Sequence, residues 1–305
     1  MSAEPILDMG RKPAPKPGIY RDVPFDEYSA WDAVNSHLLN GFSRTPAHVK
    51  HDISHGGLDP RPALEEGWLL HQAVLEPDEF AEYGAGLVVP PKVDRRKKEG
   101  KRIWADFELA NQDKVIVEPK EYEAVQKTRR KVEAMRDALL SHPSAGEYLR
   151  SKGANEVSLV WVDESTGVIC KARIDRVGML GDWPIVGDVK TARNAGRRAF
   201  ERAIAEYGYH VQAQHYLAGL QVLAPIVEGQ PFRRFCFFVV ENVPPHCVAV
   251  WELDESALAA AEQDRQRYLR TWRQCVETGE WPGYGAGVDL VSLPPWAFRA
   301  TPEIG

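Results

Sequence analysis

The sequence predicts an α/β fold: a central mixed β-sheet flanked by helices, with a helical N-terminal subregion. Three observations point there. Breaker-poor stretches of helix formers dominate up to about residue 151. Five short β-rich runs then cluster between 157 and 252. One long helical pattern interrupts those runs and another closes them.

The elements read in order as follows. MSAEPILDMGRKPAPKPG (1–18) is polar and proline-rich, so a disordered arm is expected there. Helical signals follow at 35–51, 62–75, 101–112, 119–141 and 143–151. Strand signals lie at 157–162, 168–175, 184–190, 233–241 and 246–252. Between them runs a helical pattern over 197–223 with a break near Gly208. ELDESALAAAEQDRQRYLRTWRQCVETGEW opens with an acidic cap region and stops at a glycine, as a long helix over 255–279 should. Trp281–Gly305 is rich in Pro, Gly and Trp and reads as irregular structure. A length of 305 residues allows one large domain or two small ones. The reading is a single domain over 19–298, with a short tail at 299–305.

Residues 167–192, GVICKARIDRVGMLGDWPIVGDVKTA, carry most of the chemistry. Two apolar runs are joined by a Gly/Asp/Trp/Pro turn. The first contains Asp175 and the second Asp188 and Lys190. Positions i and i+2 of a strand share a face, so Asp188 and Lys190 project together and Val189 points away. A hairpin brings Asp175 close to that pair. Two carboxylates and an ammonium suit metal-dependent hydrolysis of a phosphodiester: the carboxylates hold a hard cation and the lysine offsets developing negative charge. Taken alone, D-x-K is a weak signal, and a solvated strand face is the better reading of it.

Two companions strengthen the functional reading. In GWLLHQAVLEP (67–77), Gly67 and His71 share a helix face, which permits close backbone approach and an imidazole aimed at a metal. In YGYHVQAQHYLAGLQVL (207–223), Gln212 and Tyr216 are i,i+4 neighbours offering hydrogen bonds to a phosphate or to the lysine.

The order G-x-x-x-H, D, D-x-K, Q-x-x-x-Y resembles the PD-(D/E)XK nuclease superfamily, RecB-like branch. With YSAWDAVNSHLLNGFSRTPAHVKH, VLEPDEF, VVPPKVDRRKKEGKRIW, EVSLVW and CKARID added, the chain is similar over residues 19–298 to the exodeoxyribonuclease VIII (RecE-type) nuclease domain family of phages and prophages. The resemblance implies a restriction-endonuclease-like core. It implies His71, Asp175, Asp188 and the Val189 carbonyl as metal ligands, with Glu156 as a further acidic ligand. It implies Asp175, Asp188, Lys190, Gln212 and Tyr216 as the catalytic set. Mg²⁺ is the expected metal, with Mn²⁺ as substitute. The implied activity is an exonuclease digesting double-stranded DNA 5′→3′ and leaving 3′ single-stranded overhangs. The implied partners are DNA ends and a single-strand-annealing recombinase, with a ring-shaped homo-oligomer in view. An exonuclease of other polarity, an endonuclease and an inactive DNA-binding protein on the same fold stay open. Ile174 stands where the superfamily name has proline, and Asp188 where many members have glutamate.

Composition fits this picture. Cys170, Cys236, Cys247 and Cys275 match no zinc spacing, and none precedes His71, so no iron–sulfur cluster is expected. No secretory signal or membrane span is read, which makes the cytoplasm the expected location. The chain carries a net charge of −6, yet KVDRRKKEGKR (92–102) holds seven basic and two acidic residues. Such a segment suits phosphate tracking, or a solvated loop. Arg44 and the arginines after Lys190 (Arg193 and Arg197 chiefly, then Arg198 and Arg202) are the candidates for DNA contact.

Overall fold

The computed structural model of the chain describes residues 12–55, 62–224 and 230–293. The N-terminal part comprises β1 (Lys12–Pro13), β2 (Gly18–Tyr20), α1 (Phe25–Ala30), β3 (Trp31–Asp32), α2 (Ser36–Gly41) and α3 (Pro46–His55). Part of the expected arm is paired: Lys12 and Pro13 pair with Trp31 and Asp32, and residues 1–11 of it lie outside the described residues. The single helix expected over 35–51 is two. Asn35 caps α2 by accepting from the Leu38 N–H at 2.9 Å. Pro46, which has no N–H to donate, opens α3.

Next come α4 (Pro62–Leu75), α5 (Pro77–Glu82), β4 (Leu87–Val88), α6 (Lys98–Ala110), β5 (Val115–Ile116), α7 (Pro119–Ser141) and α8 (Pro143–Arg150). The rest is β6 (Gly153–Val162), β7 (Ile169–Leu180), β8 (Trp183–Ala192), α9 (Arg197–Tyr207), α10 (Tyr209–Leu223), β9 (Arg234–Glu241), β10 (Val248–Glu252) and α11 (Glu255–Thr278). The break between α9 and α10 is Gly208, at φ 66°. A Cβ there would also lie 2.3 Å from Asn40 Oδ1, so only glycine fits. The expected tail 299–305 lies outside the described residues.

The main sheet is six-stranded and mixed, in the order β10-β9-β8-β7-β6-β2. Only β8 and β9 run parallel; the other neighbours are antiparallel. Each face buries its own core. Phe235, Phe237 and Val239 join Trp161, Ile174 and Val186 against α2, α10 and α11. Cys236, Phe238 and Val240 join Ile185 and Val189 against α4, α7 and α8. Consecutive residues of β9 thus enter opposite cores, as a central strand requires. Among the described residues no helix is long and apolar enough to cross a membrane.

Candidate active site

The site forms where the sheet splits. The β7–β8 ladder runs from Leu180↔Trp183 to Arg176↔Gly187 and stops. Asp175 and Asp188 are the next facing pair, beyond the last rung. On the other side of β7, Asn155 pairs with Arg176 and Val157 with Ile174, leaving Glu156 opposite Asp175 without a rung. Glu156 takes φ 51°, left-handed and unusual for a glutamate. Three carboxylates therefore lie in a row across β6, β7 and β8.

The row is held from two sides of one opening. Asp175 turns to His71 on α4 and Asp188 to Gln212 on α10, and both helices border the same cavity. On the α4 side, His71, Glu156 and Asp175 each offer a ligand atom, all within 4.8 Å of one another. His71 Nε2 donates to the Val189 carbonyl at 2.7 Å. A carbonyl only accepts, so Nε2 carries the proton and Nδ1 keeps its lone pair. Nδ1 faces Asp175 Oδ2 at 3.4 Å. Asp175 Oδ2 also accepts from the Val189 N–H at 2.9 Å.

On the α10 side, Lys190 Nζ lies 2.5 Å from Asp188 Oδ2. The contact is a close ion pair at a carboxylate that is itself almost fully buried. Gln212 donates to Asp188 Oδ1 at 2.8 Å and lies 3.1 Å from the Tyr216 hydroxyl. The Lys190 ammonium sits 4.9 Å from the centre of the Tyr209 ring.

Burial sets the protonation states. It pushes Asp175 well above the usual carboxylate range, and neighbouring Asp188 pushes it further. Glu156 is pushed up to about 7 by burial and by Asp175, with Arg173 opposing. His71 is lowered by burial and by Lys190, so it stays neutral, and its approach to Asp175 is not an ion pair. Burial alone would lower Lys190, but Asp188 and Asp175 outweigh it and its pKa is raised.

These residues fit a hard divalent cation. The lone pair of His71 Nδ1 faces Asp175 Oδ2, so the gap takes either a proton held by Asp175 or a cation, and Glu156 closes the group. Oxygen donors dominate and no thiol is near, which favours Mg²⁺ or Mn²⁺ over softer metals. Asp188 lies outside the tight group because its oxygens turn toward Lys190 and Gln212.

Around this centre is a cavity of about 560 Å³, lined by His71, Glu156, Asp175, Lys190, Gln212 and Tyr216 among others. A larger concavity, about 1070 Å³, lies between α10, β9 and α11 and holds none of them. The three DNA-contact candidates line neither this cavity nor the cluster. Arg44 and Arg193 are exposed. Arg197 pairs with Glu201 at 2.8 Å on an exposed helix face. In the basic segment, Arg95 stacks on Trp104 at 4.0 Å.

Sequence reasoning missed Arg173. Its guanidinium donates to Glu156 and, at 2.6 Å, to the Val23 carbonyl. The signal was strand parity: Arg173 faces the same side as Asp175, two residues on. Tyr209 was also missed, although it lies three residues before Gln212 on one helix face.

The fold and site define a PD-(D/E)XK-type nuclease domain. The chain belongs to the family described as "PDDEXK-like domain of unknown function (DUF3799)", whose model matches residues 36–294. No curated protein matches it. Among solved structures it is similar to one described as "Putative exonuclease" from Eubacterium rectale, with a TM-score of 0.51 and 11% identity over 86% of this chain and 90% of that one. A structure described as SSO0001 aligns at a TM-score of 0.25 and 14% identity over 66% of this chain and 85% of that one, too low to carry an argument.

Proposed function

We propose that the protein is a Mg²⁺-dependent DNA exonuclease. The observation that carries this is the carboxylate row Glu156–Asp175–Asp188, with His71 and Lys190 lining one cavity beside it. His71, Glu156, Asp175 and the second lone pair of the Val189 carbonyl would hold the ion, with Asp188 as the further carboxylate. When bound, a divalent cation supplies Lewis acidity at the scissile phosphate and makes a water more acidic.

The chain's own groups do the rest. The raised pKa of Lys190 keeps it an ammonium at neutral pH. It is therefore a counter-charge and donor for the phosphate oxygens and not a base. Asp188 and the Tyr209 ring hold that ammonium in place. Gln212, bonded to both Asp188 and Tyr216, fixes the orientation of the Asp188 carboxylate.

The finer reading is digestion of double-stranded DNA from the 5′ end, leaving 3′ single-stranded overhangs for a strand-annealing recombinase. It includes a single domain over 19–298, a ring-shaped oligomer and a cytoplasmic, phage-derived setting. Support for this finer reading comes from the sequence resemblance alone. The test is product analysis on linear DNA labelled at either end and on closed circular DNA, with Mg²⁺ and with EDTA. Mononucleotides released from the 5′ end only, with circles intact, are expected. Cleaved circles would make it an endonuclease. Cleavage in EDTA would end the metal assignment.

A further inference from the structure

Five aromatic rings are exposed among the described residues: Phe25 (61%), Trp68 (57%), Trp183 (48%), Tyr207 (56%) and Tyr284 (76%). Single exposed rings are ordinary. Here three of the five, Phe25, Trp68 and Tyr207, line the cavity that holds His71, Asp175 and Lys190. They come from three separate elements, α1, α4 and the end of α9. None of the three contributes to either face's core.

Each is one step from the chemical centre. Trp68 precedes His71 by three on α4, so the two share a helix face. Tyr207 lies 5.6 Å, centre to centre, from Tyr209, the ring that covers Lys190. Phe25 lies 6.4 Å from Tyr28, which also lines the cavity.

We propose that Phe25, Trp68 and Tyr207 are base-stacking residues, and that the cavity receives its strand unpaired at the phosphate to be cut. The proposal rests on the nuclease reading and deepens it. A base inside a duplex has both faces covered by its neighbours. An aromatic side chain gains a partner only from a base that has left the stack. Every base has such a face, so rings of this kind select for single-strandedness and tolerate any sequence. The polar groups at the centre hold a phosphate but read nothing about pairing. The rings supply that discrimination, and a duplex end must fray before its terminal phosphates reach Lys190.

The test compares a single-stranded oligonucleotide with the same strand carrying abasic residues around the cleaved phosphate, using the full chain in Mg²⁺. The wild type should cut the abasic strand more slowly, on the order of tenfold. Trp68→Ala should lose a similar factor on the normal strand and nothing more on the abasic one. Trp68→Phe should recover most of the loss. Melting curves should overlay, because Trp68 is more than half exposed. Equal wild-type rates on both strands, or an equal loss by Trp68→Ala on both, would overturn the stacking role and leave the nuclease intact. A second readout needs no turnover: fluorescence of 2-aminopurine in a single strand, with EDTA present. Quenching by wild type that Trp68→Ala abolishes supports stacking even if no DNA is cut, a result that would overturn only the nuclease reading. Unchanged quenching would overturn the inference.

Discussion

His71 Nδ1 and Asp175 Oδ2 face each other at 3.4 Å, and with Asp175 ionised neither can satisfy the other. Nε2 is committed to the Val189 carbonyl and Oδ2 already accepts the Val189 N–H. The same residue of β8, Val189, therefore fixes both partners through its two backbone groups. What the gap lacks is a positive centre: a proton or a cation. The neutrality of His71 and the raised pKa of Asp175 describe the proton-filled alternative.

Metal binding should therefore compete with protons. A cation at this point displaces protons from Asp175 and from Glu156, whose pKa is pushed up to about 7. Affinity for Mn²⁺ is expected to rise between pH 6 and pH 8, with proton release visible as a buffer-dependent heat in calorimetry. Saturating metal at 100 times its Kd should stabilise the fold by about 2.7 kcal/mol. Asp175→Asn should remove that stabilisation. Affinity that is flat with pH would mean that the ion binds elsewhere.

Lys190 and Asp188 must be tested with conservative changes. Asp188 is buried and Lys190 partly so, and removing one strands the charge of the other, at up to about 3–5 kcal/mol. Asp188→Asn keeps the shape and an oxygen for Gln212 but leaves the ammonium unpaired. Lys190→Met keeps the apolar stem. Each should reduce nuclease activity by a factor on the order of 100 or more at a temperature where circular dichroism shows the variant folded. Activity within a few-fold of wild type in either variant would remove that residue from the chemistry.

Much of this site was legible in the sequence, and the reasons are physical. Alternation along a strand put Asp188 and Lys190 on one face, and the helical repeat put Gln212 beside Tyr216. Both relations are local, so spacing determines them. What spacing could not show is that Asp175 turns to His71 on α4 while Asp188 turns to Gln212 on α10, since that depends on where two strands part. Nor could it show the left-handed Glu156, whose conformation is set by the missing rung between Asn155↔Arg176 and Val157↔Ile174. Helix and strand positions were read well from periodicity. The division of 35–51 was itself legible, since Asn40-Gly41 and Ser43-Arg44-Thr45-Pro46 are stop and start signals that a single-helix reading passes over. The place of Arg44, Arg193 and Arg197 on the surface is tertiary, and composition is silent about it.

The pH dependence of stability should carry the signature of His215. It is fully buried, its ring is 4.7 Å from Trp161, and burial lowers its pKa from 6.5 to about 3. Between those values the unfolded chain binds a proton that the folded one refuses. Stability from this group is therefore complete above pH 6.5 and lost as pH falls toward 3, at up to about 1.4 kcal/mol per unit. Glu156 works the other way: its raised pKa means the folded state binds the extra proton between pH 4.5 and about 7. The measurement is thus a difference, urea unfolding of wild type against His215→Gln from pH 4 to 7 in EDTA. The variant should lack the His215 part of the slope. Parallel curves would show that this imidazole is not the sensor.

End recognition separates the three arginines. A terminal phosphate carries more charge than a diester and suits the bidentate guanidinium. Duplexes with a 5′-phosphate should be degraded faster than those with a 5′-hydroxyl. The Glu201 pair engages Arg197 already, although an exposed pair of that kind is worth little. Arg193, three residues after Lys190, is the expected reader, and Arg193→Ala should narrow the difference. Equal wild-type rates on both ends would exclude a phosphate pocket. A uniform slowing by every arginine variant would make them general backbone contacts.

Gly187 links packing to chemistry. It sits one residue before Asp188, and a Cβ there would lie 2.5 Å from the Tyr148 ring, inside van der Waals contact. Tyr148 cannot yield easily: its hydroxyl donates to the Arg176 carbonyl at 2.7 Å, and its ring stacks on Phe238 at 4.5 Å. Gly187→Ala should therefore cost about 1–3 kcal/mol through overpacking. The ladder of β8 to β7 ends at this residue while its ladder to β9 runs on to Ala192, so the strain is relieved by a shift of β8 together with β9 away from β7. That movement carries Asp188 and Lys190 with it, so activity should fall further than stability does. Cutting back the obstruction separates the two effects. Gly187→Ala combined with Tyr148→Leu makes room for the methyl group, and it should regain cleavage over Gly187→Ala alone even though Tyr148→Leu by itself destabilises the fold. If the double variant is no more active than Gly187→Ala, the ring contact does not set the position of Asp188.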